Sequence, residues 1–257
     1  MAKMRCGGSP CRSSHVLNQA QVEQFRSEGY LSRVPLLPGE EVARLRPEVD
    51  AALQGRGPTD DPRVHRHLDD PLTFGLCAQP ALVDCMRALL GPDVVLWHSR
   101  YFDKRAGDTH IPWHQDAPFW KISPMRVVSA WIALDPVDQD NGCMHMLPGS
   151  HAEELPHVHS ENTGRFSRKA APDLVDDRGA VPICLAPGEA VLFDCRMLHR
   201  SGINQSRRPR RALSIRFTIP EVTIDVSSLR PPVPGYGVIQ MCGTDRLGLN
   251  PVAMPPS

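Results

Sequence analysis

The stretch "IPWHQDAPFW" sets a histidine, His114, two residues before an acid, Asp116. In an extended strand, residues i and i+2 project to one face, so His114 and Asp116 aim at one point while Gln115 turns away as a spacer. An imidazole and a carboxylate are two donors for a divalent metal, and two donors do not make a site. Iron held by two histidines and one carboxylate keeps three positions open, enough for an organic acid and for dioxygen. His199, in "DCRMLHRSGINQSRRPR", is the candidate third donor, because it follows a strand of buried type and can approach from the opposite wall of a closed β architecture. A dicarboxylate chelating such a metal leaves its far carboxylate needing a permanently charged, forked partner, which arginine supplies better than lysine. Arg210 lies eleven residues after His199, at the head of the next expected strand, and a tight turn through 204–209 would bring the two strands side by side. Ser201 shares a face with His199 by period two and can donate a hydroxyl to the same carboxylate.

The elements that must position these residues are legible in outline. Asn18 can cap a helix with Gln21 three residues on, Val22 and Phe25 share a face, and Gly29 ends it. Val42, Leu45, Val49 and Leu53 suggest a second helix that Pro47 should kink or divide. A third is expected over about 79–90, with Pro80 in its first turn and Gly91 as its stop. After this helical preface (18–90) the texture changes to short β-type runs at 94–102, 126–134, 143–147, 190–195 and 211–219, separated by turn signals such as "PVDQDNG", "PGSH" and "APGE". Many short strands of this kind indicate a mainly β fold with flanking helices, a sandwich or barrel of jelly-roll type, over 94–220. The polar segment 152–180 should form a loop or lid. Residues 1–15 should be disordered, 16–257 should form one domain, and the proline-rich tail 230–257 should wrap irregularly or stay mobile.

The chain has 257 residues, with 29 basic and 29 acidic side chains that cancel to zero formal charge. No field of either sign dominates, which argues against nucleic acid or an anionic membrane as partner and leaves a small molecule. No apolar run is long enough to span a bilayer, and the N-terminal residues do not resemble a signal peptide, so a cytoplasmic protein is expected. The eight cysteines are scattered without a CxxC pair, as in proteins that keep reduced, buried thiols. Oligomeric state is silent.

"WHQDAPFW", "SAWIALDPVDQDNGCMHMLPGSH" and "LHRSGINQSRRPRRALSIRF" together resemble the three signature blocks of the phytanoyl-CoA dioxygenase (PhyH-like) family of Fe(II)- and 2-oxoglutarate-dependent oxygenases. The match spans about 94–220. The resemblance implies a double-stranded β-helix, cupin-like in outline, in which His114, Asp116 and His199 ligate Fe(II). It implies that Arg210 pairs with the 2-oxoglutarate carboxylate with help from Ser201, that Trp131 packs near this co-substrate, and that O2 is consumed with release of succinate and CO2. Arg211 is adjacent to Arg210, but the family's spacing and the alternation with Ala212 and Ser214 favour Arg210. Related halogenases replace the acid by a small residue, so Asp116 points to hydroxylation or a related oxidation of a small molecule over halogenation, with hydroxylation expected. The family admits acyl-CoA, amino acids and secondary metabolites, and nothing outside the arginine-rich turn suggests a cradle for CoA.

His98 and Arg100 would face the interior if 94–102 is an inner strand, and with Phe119 and Trp120 they are candidates for the substrate pocket. The i,i+2 pairs His65/His67 and His157/His159 lie in expected loops and are expected to be surface histidines, while Asn141 and His151 more plausibly fix turns than perform chemistry. Taken alone, His114 and Asp116 are better explained as a strand-end histidine paired to an acid, so their weight comes from standing together with His199 and Arg210. Two rivals follow. A non-catalytic jelly-roll protein that only binds a ligand would be marked by lost donors, and all four are present. A metal enzyme of cupin type would cluster three histidines and a glutamate, with no use for Arg210.

Overall fold

Asn18 opens helix α1 (Gln19–Glu28) with a reciprocal box: its side chain accepts the Gln21 N–H at 2.9 Å, and the Gln21 side chain accepts the Asn18 N–H at 3.0 Å. Gly29, at φ +83°, stops the helix. This computed structural model describes residues 17–161 and 167–257, so 1–15, expected to be disordered, lies outside the described residues together with Cys6 and Cys11. Helix α2 (Gly39–Gln54) runs through Pro47 undivided, so of the two expected outcomes division is excluded. Pro47 and Ala43, whose carbonyl loses its partner to the proline ring, are both exposed, so water can satisfy that carbonyl. A short helix α3 (Pro71–Cys77) was not expected, although Asp70 caps it through the Thr73 N–H and Pro71 opens it. Helix α4 (Pro80–Leu90) follows and ends at Gly91.

Fourteen strands complete the described residues: β1 (Tyr30–Pro35), β2 (Val94–Lys104), β3 (Ile111–His114), β4 (Ile122–Ser123), β5 (Val128–Ala133), β6 (Met144–Met146), β7 (His157–His159), β8 (Arg168–Ala170), β9 (Val181–Ile183), β10 (Glu189–Asp194), β11 (His199–Ser201), β12 (Arg210–Thr218), β13 (Thr223–Ile224) and β14 (Ile239–Cys242). The larger sheet has the order β1-β10-β5-β12-β2-β14 and the smaller β3-β11-β6-β9, every pair antiparallel. Alternation divides the larger sheet between two cores. Ile132 of β5, Leu192 of β10, and Leu213, Ile215 and Phe217 of β12 pack with Val22, Phe25, Leu82 and Met86 of the helices. Trp131, Ala133, Val191, Phe193 and Ala212 face Met144, Met146 and Ile183 of the smaller sheet. Burying each large aliphatic side chain contributes on the order of 2 kcal/mol. Two antiparallel sheets closing on a shared interior, with helices outside, form the double-stranded β-helix.

The interior face of the β2–β12 ladder is polar at regular intervals. Register pairs Lys104 with Arg210, Phe102 with Ala212, Arg100 with Ser214 and His98 with Arg216. Two expectations about connections are corrected. β11 lies beside β3 in the smaller sheet, with His199 directly opposite His114, so the two histidines are neighbours on one wall. The turn after β11 carries the chain into the other sheet, where β12 pairs with β2 and β5, so β11 and β12 do not run side by side. The C-terminal tail is also more built than expected. β14 joins the edge of the larger sheet against β2, and Asn250 accepts the Ile224 N–H at 2.9 Å. Within 152–180 the described residues form the β7–β8 pair and short turns. No helix among the described residues is long and apolar enough to cross a membrane.

Candidate metal centre

His114 ends β3 and His199 opens β11, which sets their rings 4.1 Å apart between centroids. Each ring nitrogen Nδ1 lies 2.9 Å from the carbonyl two residues earlier, that of Pro112 for His114 and of Met197 for His199. A carbonyl only accepts, so Nδ1 carries the hydrogen in both rings and Nε2 keeps its lone pair. Asp116 sits beyond the strand end, in helical conformation (φ −73°, ψ −36°), so a turn and not strand alternation brings its carboxylate to 3.7 Å from His114 Nε2. The three side chains are buried and each offers a donor atom within 4.8 Å of the others. Two imidazole lone pairs and one carboxylate converging on a point fit a divalent first-row metal with positions left open.

Charge is set for that purpose. Burial alone would raise the Asp116 carboxyl, but the Arg216 guanidinium, 3.5 Å away, together with the two histidines holds it far below the usual carboxylate range. Burial, reinforced by His114, depresses His199 to about 4, so it is neutral and able to coordinate near neutral pH. The intervening Gln115 does turn away. Its fully buried amide donates to the Glu153 and Arg196 carbonyls and accepts the Leu155 N–H, and its backbone N–H donates to His157 Nε2, which ties the 152–157 segment to the metal-side turn.

A cavity of about 30 Å³ joins His114, Asp116 and His199 to Arg210, Ser201 and Trp131. Arg210 is 2% exposed, donates to the Gly142 carbonyl at 2.5 Å and stacks over the Trp131 ring at 5.1 Å. Its Nε has no hydrogen-bond partner, and among the described residues no carboxylate pairs with it. Burial lowers it only to about 10, so it stays charged, and a buried cation of this kind calls for an anion. The Asn141–Gly142 turn makes the arrangement possible. Gly142 has φ +77°, and a Cβ there would lie 2.6 Å from the Gly202 carbonyl oxygen. Asn141 accepts the Asp138 N–H and donates to the Pro136 carbonyl, and His151 bonds the Arg26 carbonyl, so both hold turns.

The sequence reading missed Lys104. Its ammonium donates to Ser201 Oγ at 3.0 Å, to the Thr109 carbonyl at 3.0 Å and to the Gly202 carbonyl, and burial with nearby Arg210 lowers it to about 7. Period two along β2 from His98 and Arg100 leads to it, but only the register with Arg210 reveals its place.

A second cavity, about 280 Å³, opens on the other side of Asp116. His98, Arg100, Phe119 and Trp120 line it, as do His65 and Arg216, neither of which was anticipated there. His65 and His67 are buried, contrary to expectation. The loop that carries them covers the edge of β2, with His65 N–H donating to the Ser99 carbonyl and Tyr101 N–H to the Arg63 carbonyl at 2.8 Å each, and His67 Nδ1 lies 2.7 Å from Ser99 Oγ. In the other pair, His159 is exposed and His157 is half-buried against Gln115.

A family model described as phytanoyl-CoA dioxygenase (PhyH) matches residues 11–212. Peroxisomal phytanoyl-CoA dioxygenase of Rattus norvegicus is 25% identical over 233 residues, covering 79% of this chain and 69% of its own length. The apo structure of ThoJ, a non-heme monooxygenase, is 26% identical and superposes with a TM-score of 0.79 over 92% of this chain and 88% of its own. EvdO2 of Micromonospora carbonacea var. aurantiaca, solved in complex with 2-oxoglutarate, is 28% identical, with a TM-score of 0.62 over 85% of this chain and 96% of its own. With a family model over most of its length and a double-stranded β-helix around a His-Asp-His cluster, this chain belongs to the phytanoyl-CoA dioxygenase family of Fe(II)- and 2-oxoglutarate-dependent oxygenases.

Proposed function

We propose that His114, Asp116 and His199 hold Fe(II), that Arg210 with Ser201 and Lys104 receives the far carboxylate of 2-oxoglutarate above Trp131, and that the enzyme hydroxylates a small metabolite. The observation that carries this is a single cavity with three convergent metal donors at one end and a buried, uncompensated guanidinium at the other. When bound, iron and 2-oxoglutarate supply oxygen activation coupled to release of succinate and CO2. The protein's own groups do the rest. The Pro112 and Met197 carbonyls fix both imidazole tautomers, Arg210 selects a dicarboxylate of matching reach, and Phe193 and Met144 line the cavity with apolar surface that keeps bulk water away. The second cavity is of the size that holds a small metabolite.

The compartment we propose is the cytoplasm. Among the described residues Cys77, Cys85, Cys143, Cys184, Cys195 and Cys242 are free thiols, which suits reducing surroundings. The test is anaerobic titration of Fe(II) and 2-oxoglutarate into the metal-free protein, followed by the visible charge-transfer absorption of the chelate. Wild type should develop the band, and His114→Ala and Arg210→Ala should not. A wild type without a band, or variants that keep it unchanged, would overturn the assignment.

A further inference from the structure

The larger cavity is cationic in a chain whose formal charges cancel. Arg100, Lys121, Arg216 and Arg230 line it, and among the described residues Asp116 is its one carboxylate. Neighbours offset some of this charge. Asp61 pairs with Arg100 at 3.0 Å, and Asp225 lies against Lys121, its N–H donating to the Lys121 carbonyl. Arg230 is exposed at the rim. Arg216 differs from all three, because it is buried and its one carboxylate partner among the described residues is Asp116, at 3.5 Å. It donates through Nη1 to His98 Nδ1 at 2.9 Å and stacks over Trp120 at 5.1 Å, while its Nε has no hydrogen-bond partner.

In the assignment above Asp116 is a metal ligand. A divalent metal, the 2-oxoglutarate dianion, Asp116 and Arg210 together cancel, and the Lys104 ammonium can only add positive charge. The loaded centre therefore leaves Arg216 a buried cation without a counter-charge of its own, which is strongly unfavourable unless an anion joins it. The neighbouring groups are arranged to receive one. Arg100 and Arg216 lie on the interior face of adjacent strands, two pairs apart in the ladder. His98 accepts from Arg216 at Nδ1, so its Nε2 carries the hydrogen and is a further donor.

We propose that the primary substrate carries an oxyanion, a carboxylate or a phosphonate, bound by Arg216 and Arg100, with its apolar body against Trp120, Phe119 and Leu229 in this cavity. The inference rests on the oxygenase assignment, and guanidinium forks suit both oxyanions because each offers two coplanar acceptors.

The test uses protein loaded anaerobically with Fe(II) and saturating 2-oxoglutarate, with binding measured by calorimetry for phenylacetate, phenylphosphonate and the neutral phenylacetamide. Both or one of the anions should bind at least about tenfold more tightly than the amide while the visible band persists, and their ranking tells carboxylate from phosphonate. Arg216→Gln and Arg100→Gln should each erase that preference with little change in amide affinity. An amide that binds as well as both anions overturns the proposal, and so do anions that bind only by bleaching the band, since they then occupy the Arg210 site. Because Arg216 touches Asp116, its variant can lose the metal; Arg100→Gln, remote from the cluster, then decides, and an undiminished preference in it refutes the proposal. A wild type with no band fails the oxygenase assignment, whereas a band without anion preference fails this proposal alone.

Discussion

Two arginines on one face of one strand, Arg210 and Arg216, do different work. Each lies 5.1 Å over a tryptophan, Trp131 for the first and Trp120 for the second, and each is buried. Arg210 donates to a backbone carbonyl and among the described residues has no carboxylate, whereas Arg216 faces Asp116 and an imidazole. The difference teaches that counter-charge, not residue type or stacking, assigns the role. A guanidinium held by a carbonyl waits for an anion whether or not metal is present. One held by a carboxylate proposed to bind metal would begin to need an anion only when the metal takes that carboxylate.

The comparison is broken most severely at Arg210. Arg210→Ala should weaken 2-oxoglutarate binding by about 2–5 kcal/mol, roughly thirtyfold to a few thousandfold in Kd, because a buried carboxylate loses its partner. Binding of anionic probes in the larger cavity should persist. Calorimetry with both ligands checks this, and equal losses at the two ends would mean that the arginines form one site. Gly142→Ala comes next. The left-handed backbone and the approach of the Gly202 carbonyl leave no room for a Cβ, so about 1–3 kcal/mol of stability should be lost. Since Gly142 also supplies the carbonyl that holds Arg210, the 2-oxoglutarate affinity should fall with it. Thermal unfolding and a 2-oxoglutarate titration read the two effects separately.

The Arg210 end was far more legible in the sequence than the Arg216 end. His114, Asp116, His199 and Arg210 sit in short segments whose spacing carries the chemistry, and alternation from Arg210 through Ala212 to Ser214 follows from period two. Continuing the same alternation reaches Arg216, but nothing local says that Asp116 faces it, because that contact joins β12 to a turn beyond β3. Lys104 was hidden for a similar reason, since its partner is set by the register of β2 on β12. His65 and His67 were assigned to the surface because loops usually stay there. This loop is buried because its backbone pairs with the edge of β2, a long-range contact with no local signature. The turn that positions Asp116 likewise replaced the strand alternation expected for it. In the helical preface α1, α2 and α4 lie where their patterns indicated, but α3 and the strand β1, which pairs with β10, had no signal of their own.

A gentler probe separates stacking from charge. Trp131→Phe should cost 2-oxoglutarate binding about 1 kcal/mol, a few-fold in Kd, because a phenyl face attracts a guanidinium less than an indole. Trp120→Phe should leave 2-oxoglutarate unchanged and weaken the anionic probe by a similar factor. Crossed effects, each tryptophan acting on the other ligand, would show that the two ends are not independent.

The smallest effect sharpens the comparison through pH. Lys104 reinforces the Arg210 end, and burial with nearby Arg210 depresses its ammonium from its usual range to about 7. In the free protein it is charged below about pH 7 and neutral above, so its pull on the 2-oxoglutarate carboxylate is present on the acid side and fades as pH rises. The Kd for 2-oxoglutarate should therefore rise a few-fold between about pH 6.5 and 8.5 and flatten in Lys104→Met. Folding responds with the opposite sign. The unfolded chain holds that proton up to the usual lysine range while the folded one has released it, so this group's contribution to stability increases with pH above 7. Arg216 has no comparable neighbour, because His98 already spends its Nδ1 lone pair on the guanidinium and burial keeps its ring neutral. The affinity of phenylacetate, which stays fully ionised across the same range, should accordingly stay level. A probe affinity that tracked the 2-oxoglutarate curve would place Lys104 between the two ends and make the ladder a single electrostatic unit.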